Sequence, residues 1–250
     1  MLINKRNKFY IEREKSYDIE LKSLNEDKFI STIKEDFEIN KKCKDIFFHI
    51  QNEEIIIRNI ESIKTKRKKD IISLIKYEIN QYMPIDLNNY HIRYKIIKTN
   101  LDEEAIQIIL LPKNMSKICK QISDKLKINK SHLNINFDIL DKILKLNLIK
   151  NMEDENAIII ENKIDSLIMN KVYQNQIIES YVLEKTKDTL NNIKDLCKNN
   201  KLYSFGVEDE YINNIKINSL EVNETLNIYP LQENNKNITS FIMALGMAIE

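Results

Sequence analysis

The amino-acid sequence predicts a mixed α/β fold, formed by one compact domain or by two closely joined ones. Hydrophobic residues make up 42% of the 250 residues, which is enough for a sizeable core. Short apolar runs typical of strands alternate with stretches of helical periodicity, and strand pairs followed by a helix occur twice. No apolar run approaches the roughly 20 residues that cross a bilayer, so we expect a cytoplasmic chain, peripheral to a membrane only through a partner.

The N-terminal part of the chain predicts short strands, a helix and a hairpin. The apolar runs 45–50 and 54–60 are separated by Gln51 and Asn52, a pattern typical of a β-hairpin. Asp27 stands at the start of the helical periodicity, where a carboxylate can cap a helix. The elements that precede the hairpin are strand 8–11, strand 18–24 and helix 27–39.

The clearest helix lies at 69–82. Its apolar residues Ile71, Ile75 and Ile79 recur at helical spacing and therefore share one face. Pro84 ends the helix, because proline disfavours helical geometry at the residue before it. The remaining predicted elements are strands at 90–98, 105–111, 133–137, 157–161, 166–170, 177–183, 202–205 and 226–229, and helices at 116–126, 138–148, 185–198 and from 239 to the C-terminus.

Charge and composition argue against several classes of function. The 39 basic and 38 acidic residues leave a net charge of +1, which gives no electrostatic reason to expect a nucleic-acid partner. The three cysteines and three histidines are scattered and form no pattern of metal ligands or of catalytic groups. The chain has two glycines, whereas loops that bind phosphate use glycine for close backbone approach. A metal enzyme or nucleotide enzyme is therefore not expected.

One segment carries a family resemblance. Residues 75–87 contain the pattern Glu78-x-x-x-Tyr82-x-Pro84 at the end of the clearest helix, which leads into a strand that contains Tyr94. This pattern resembles a signature of the PilM family, the actin-like proteins of type IV pilus assembly that are related to FtsA. Further segments resemble the family in the same order, at 108–113, 126–128, 133–146 and 241–249.

The resemblance implies an actin-like, ribonuclease H-like fold with two lobes and an inserted subdomain of the FtsA type. The second lobe is shorter than the family pattern requires, so we expect a reduced lobe. The implied segments are the first lobe at 1–61, the inserted subdomain at 62–127, the first lobe again at 128–150, the reduced second lobe at 151–237, and a C-terminal helix at 238–250 that returns to the first lobe.

The resemblance also implies a partner. Members of the family bind the short cytoplasmic tail of the membrane protein PilN and help to couple the pilus motor ATPases to the inner-membrane platform. Carried over to this chain, the residues that match the family segment are Tyr77, Glu78, Tyr82, Pro84 and Tyr94, which then line a groove for the tail. For Tyr77, Glu78, Tyr82 and Pro84 the alternative is that the end of the helix packs onto its own sheet, because tyrosine serves both interfaces and cores.

The family's nucleotide-binding loops do not match. The family opens on an Asp-x-Gly phosphate loop, yet residues 1–24 contain no glycine. The second Asp-x-Gly loop is replaced by Glu161, Asn162 and Lys163, and the Gly-Gly pair near the adenine is reduced to Gly206. We therefore predict a pseudo-ATPase, with no cofactor and no enzymatic activity.

Two other functions stay open. One is a nucleotide-binding actin relative that polymerises, against which the missing glycines count. The other is a cytoplasmic component of a type II secretion platform, which has a similar fold and normally continues into a membrane span.

Overall fold

A computed structural model of the chain describes residues 2–5, 8–11, 23, 24, 26–39, 43, 45–50, 54–61, 67–98, 104–149, 156–196, 200–207, 210–213, 218, 219, 227–230, 243 and 247. The chain forms two compact units. Unit 1 comprises Met1–Gln51, Asn114–Asn151 and Leu220–Glu250, and unit 2 comprises Asn52–Lys113 and Met152–Ser219.

The described residues form thirteen strands and six α-helices. The strands are β1 (Leu2–Lys5), β2 (Lys8–Ile11), β3 (Asp45–Ile50), β4 (Ile56–Glu61), β5 (Tyr90–Lys98), β6 (Glu104–Pro112), β7 (Lys130–Ile135), β8 (Asn156–Asn162), β9 (Ser166–Tyr173), β10 (Gln176–Glu184), β11 (Lys201–Gly206), β12 (Asn218–Ser219) and β13 (Asn227–Pro230). The helices are α1 (Asp27–Asp36), α2 (Lys68–Tyr82), α3 (Lys113–Leu126), α4 (Asn136–Lys145), α5 (Lys187–Leu196) and α6 (Glu210–Asn213).

Unit 1 contains two small sheets and the helices α1, α3 and α4. β2 lies between β1 and β13, and β3 pairs in parallel with β7. Ile30 of α1 packs against Ile122 and Leu126 of α3 in one apolar core cluster. Asp27 does not cap α1, contrary to the sequence prediction, because it is the first helical residue and its carboxylate accepts a hydrogen bond from Lys125 at 2.7 Å. This bond and the charge of Lys125 lower the pKa of Asp27.

The predicted hairpin of β3 and β4 is wrong. β3 pairs with β7 in unit 1, whereas β4 pairs antiparallel with β6 in unit 2. The two strands lie close in sequence, but the unit boundary runs between Gln51 and Asn52. β4 therefore begins the segment that separates β3 from β7, and both runs find partners that are distant in sequence.

The first part of unit 2 is a three-stranded antiparallel sheet in the order β4-β6-β5, covered by α2. Ile71, Ile75 and Ile79 are buried on one face of α2, as their spacing predicts. They share a core cluster with Ile106 and Ile108 of β6, which is the central strand. The burial of β6 on both faces explains its nearly continuous apolar sequence.

The second part of unit 2 is a five-stranded mixed sheet in the order β10-β9-β8-β11-β12. The neighbours from β10 to β8 are antiparallel, and β11 is parallel to β8. Ile193 of α5 packs on Ile158 and Ile160 of β8 in a shared core cluster. This part confirms the strand series and the helix predicted between 157 and 205.

Two amide side chains, one partly and one fully buried, connect the sheets of unit 2. Asn59 of β4 donates a hydrogen bond to the carbonyl of Ile178 at 2.6 Å, and Gln107 of β6 donates to the same carbonyl at 3.0 Å. Gln107 also donates to the carbonyl of Ile177 at 3.3 Å. Beside them, Ile97 and Ala105 pack with Tyr173 and Ile178 in a core cluster that both sheets supply.

Some predicted elements fall outside the described residues. These include nearly all of the strand at 18–24 and all but Met243 and Met247 of the helix from 239 onwards. The division into five lobe segments stays a prediction, although β4, placed in the first lobe by that division, hydrogen-bonds to β6 of unit 2. Within the described part of the chain, every helix is too short or too polar to cross a bilayer.

The core face of α2 can be tested by substitution. We expect Ile79→Ala to lower the free energy of unfolding by about 2–5 kcal/mol, because Ile79 is 3% exposed and its truncation leaves a cavity. The control is Lys76→Ala on the exposed face of the same helix, for which we expect less than about 0.5 kcal/mol. Urea denaturation followed by circular dichroism measures both, and equal small losses would contradict this packing.

Candidate functional site

The turn after β8 is where a phosphate-binding loop is expected, and its own side chains make an ion pair there. Lys163 Nζ lies 3.6 Å from Glu161 Oε1, and the Glu161 side chain is 10% exposed. The backbone N–H of Lys163 donates to the carbonyl of Ser166 at 3.0 Å, which closes a tight turn into β9. A flexible cationic side chain therefore stands where the family pattern has glycine, and it partly neutralises Glu161.

Gly206 is required by packing. Its φ is +106°, in the region that side chains rarely adopt, and a Cβ atom built there would lie 2.3 Å from the carbonyl oxygen of Asn162. Around it, the N–H of Val207 donates to that same carbonyl at 2.8 Å, and the Asn162 amide donates to the carbonyl of Val207. The glycine thus permits the ends of β8 and β11 to approach closely, which accounts for it without any ligand.

The five predicted partner-binding residues do not form a single surface. Tyr77 and Tyr82 are 60% and 64% exposed on α2. Their spacing places them about 140° apart around the helix. Glu78 is half-buried and Pro84 is exposed just beyond the helix. Tyr94 packs against the core cluster that α2 shares with β6.

Tyr82 borders a cleft of about 470 Å³ that lies within unit 2. The guanidinium of Arg58 sits over the Tyr82 ring, 5.6 Å from its centroid, and Met83 next to Tyr82 lines the cleft. One wall is β4, the edge strand of the three-stranded sheet, and the other is β10, the edge strand of the five-stranded sheet. The lining residues are Ile56, Ile57, Arg58, Asn59, Met83, Ile178, Glu179, Ser180 and Tyr181.

The two charged residues that line the cleft differ in their contacts. Glu179 accepts an ion-pair contact from Lys171 at 2.6 Å and a hydrogen bond from the Tyr181 hydroxyl at 2.8 Å. Burial raises the pKa of Tyr181 to about 12, assisted by the hydrogen bond to Glu179 and by its charge, so this hydroxyl stays a neutral donor. Arg58 has the Tyr82 ring beside it, and no carboxylate of the described residues lies within ion-pair distance. The cleft therefore offers isoleucine and methionine side chains, polar groups that include the engaged carboxylate of Glu179, and one exposed cation.

Sequence reasoning missed most of this cleft. A signal was present, because Arg58 and Asn59 interrupt the apolar run of β4 and Gln107 interrupts that of β6. Polar residues inside apolar strands often mark a buried contact or an edge. The sequence does not reveal that their counterpart is β10, since Asn59 and Ile178 are 119 residues apart.

The nine residues that line the cleft include Glu179, Ser180 and Tyr181 but no histidine and no cysteine. Among the residues that the structure describes, no group of three or more His, Cys, Asp or Glu side chains could hold a metal ion.

Comparison with solved structures identifies the architecture. The structure titled "PilM-PilN type IV pilus biogenesis complex" matches with a TM-score of 0.60 at 12% identity, over 88% of this chain and 83% of that one. The fold is actin-like. The cytoplasmic domain of EpsL, an inner-membrane component of the Vibrio cholerae type II secretion system, matches with a TM-score of 0.54 at 9% identity, over 89% of this chain and 80% of that domain. No protein-family model and no curated protein matches the sequence.

The comparisons confirm the predicted resemblance to PilM at the level of the fold. The similarity extends over most of both chains, although the sequences have diverged to 12% identity. The segment 75–87, which suggested the resemblance, contains the end of α2 and the residues beside the Arg58–Tyr82 contact.

The packing role of Gly206 makes a testable prediction. Gly206→Ala should lower the free energy of unfolding by about 1–3 kcal/mol, because it strains a positive φ and drives Cβ into the Asn162 carbonyl. Val207→Ala is the matched control: it keeps both backbone hydrogen bonds and truncates a side chain that is 43% exposed, so its loss should be clearly smaller. Thermal unfolding of the two variants compares them, and a neutral Gly206→Ala would contradict the proposed packing.

Proposed function

We propose that this protein is a scaffold of a type IV pilus assembly platform, bound to the cytoplasmic face of the inner membrane through the tail of a PilN-like membrane protein. The observation that supports it is the shared fold with PilM and with the cytoplasmic domain of EpsL, over most of each chain. Both of those proteins belong to membrane-bound machines. In this proposal the motor ATPases of the same machine are a second class of partner.

A binding role fits the chemistry of unit 2. Tyr82 offers a large, exposed aromatic ring at the rim of a preformed cleft, and Arg58 holds a cation against it. Aromatic and arginine side chains are the residues that most often dominate interface energies. Tyr77, Glu78, Pro84 and Tyr94 remain predicted partner contacts, of which Pro84 is exposed and adjoins Met83 in the cleft wall.

We further propose that the protein works without hydrolysing ATP. Phosphate loops act by presenting backbone N–H groups to the anion, and glycine permits the approach. Here Lys163 fills the glycine position and pairs with Glu161, while Gly206 is already needed where β8 meets β11. These features support a loop that has become a structural turn.

A second candidate is a component of a type II secretion platform. The match to the EpsL domain, with a TM-score of 0.54, favours it. The two functions differ in which membrane protein supplies the tail, so binding measured against tails from both kinds of system separates them.

Tail binding is the primary test. A fluorescein-labelled peptide of the cytoplasmic tail of the PilN-like protein from the same genome should bind saturably, as measured by fluorescence anisotropy. Tyr82→Ala should weaken binding at least about 30-fold, because an aromatic anchor at an interface contributes about 2 kcal/mol or more.

The matched control for tail binding is Lys163→Ala, in the turn after β8, which should leave the affinity unchanged. Failure of the wild-type protein to bind any such tail would contradict the scaffold role. A loss of binding with Lys163→Ala and none with Tyr82→Ala would place the site elsewhere.

Nucleotide binding is a separate test. Calorimetric titration of the protein with Mg-ATP should give no binding heat, and Lys163→Gly should not restore it, because residues 1–24 also lack the glycine of the first loop. A saturable isotherm with a stoichiometry near one would favour the alternative of a nucleotide-binding, polymerising actin relative.

A further inference from the structure

We propose that the outer edge of β4, at the cleft that β4 and β10 line, binds an extended segment of the partner by strand addition, with a carboxylate of that segment on the guanidinium of Arg58. The identity of the partner rests on the proposed function, but the location and the chemistry of the site follow from unit 2 alone.

β4 is a sheet edge at the cleft. Among the described strands it pairs with β6 alone. The outer edge of such a strand presents backbone N–H and C=O groups that a further extended chain can use. β10 lies over the face of the same sheet, where Asn59 and Gln107 bind it, and lines the cleft beside that edge.

The cleft is held open before any ligand arrives. At one end, Asn59 and Gln107 bind the carbonyls of Ile177 and Ile178, where β10 has a bulge between Ile177 and Glu179. Gln107 is fully buried, and the packing of Ile178 into the core fixes the spacing. A preformed site reduces the ordering cost of binding.

The charges select an acidic segment. Glu179 is engaged by Lys171 and Tyr181, whereas the exposed guanidinium of Arg58 has an aromatic ring on one face and no carboxylate of the described residues in reach. Stacking on Tyr82 orients the guanidinium without using its N–H donors, which can then bind a carboxylate in a fork. The isoleucine and methionine walls accept apolar side chains that alternate with it.

The volume suits such an occupant. About 470 Å³ falls within the range of cavities that bind small ligands or the side chains of a peptide. We therefore expect a segment of alternating pattern, with an apolar side chain in the cleft and an aspartate or glutamate at its mouth.

The test uses the labelled tail peptide and its acid-to-amide variants with the full-length protein. Arg58→Gln, which keeps a polar side chain and removes the charged guanidinium, should weaken binding of the acidic tail about 10- to 100-fold. Arg58→Gln and the wild type should bind the amide form of the tail with the same weak affinity. The amide form already lacks the carboxylate, so removal of the guanidinium costs no further affinity. Arg93→Gln, on the exposed side of β5 away from the cleft, is the matched control and should not change the affinity.

Hydrogen exchange locates the segment independently of substitution. Bound tail should slow amide exchange in the segments 54–61 and 176–184 and leave β7 unchanged. Tail binding that is insensitive to Arg58→Gln, or protection outside these segments, would overturn this inference and leave the scaffold role intact. If no tail binds the wild-type protein, both proposals fail.

Discussion

Unit 2 depends on the contact between two amide side chains and a bulge. Asn59 and Gln107 lie opposite each other on paired strands, and together they bind the carbonyls of Ile177 and Ile178. The carbonyl of Ile178 belongs to the bulge in β10 and accepts from both amides. An apolar residue in place of Gln107 would remove its hydrogen bonds to Ile177 and Ile178 and leave the one from Asn59. This junction fixes where β10 lies on the sheet, and with it the cleft that β4 and β10 line.

In the turn after β8, packing and charge account for the residues that stand where the family pattern has a phosphate loop. In a phosphate-binding loop, glycine exists to leave backbone N–H groups accessible to an anion. In this chain the surviving glycine, Gly206, brings β11 close to Asn162, and the side chain of Asn162 closes the gap by binding Val207. Lys163 then provides near Glu161 the positive charge that a bound cation would otherwise bring. Local packing or charge explains each of these residues. The presence of Gly206 is therefore weak support for nucleotide binding by this chain.

Local periodicity was sufficient for the helices and for most strands. α2 was predicted because Ile71, Ile75 and Ile79 repeat at helical spacing and Pro84 prevents its continuation. The pairing of strands was harder to predict from the sequence, because periodicity identifies a strand and says nothing about its partner. β3 and β4 are neighbours in sequence and were predicted as a hairpin, but each pairs with another strand. Tyr94 illustrates a similar limit, because the same aromatic residue suits a core and an interface equally well. The cleft requires β4 and β10 together, and only the folded chain brings them into contact.

These features have a common physical logic. A machine that uses ATP to move its lobes needs flexible, glycine-rich loops whose conformation depends on the ligand, whereas a scaffold needs surfaces that are complete in advance. In unit 2 the hydrogen bonds of Asn59 and Gln107 and the core around Ile178 fix β10 on one face of the sheet whose edge strand is β4. Rigid edges give most of the affinity of strand addition through backbone bonds, which tolerate sequence change in the partner. Specificity then depends on the few side chains at the mouth of the cleft. A change of charge at Arg58 can therefore alter which partner binds while the fold is unchanged.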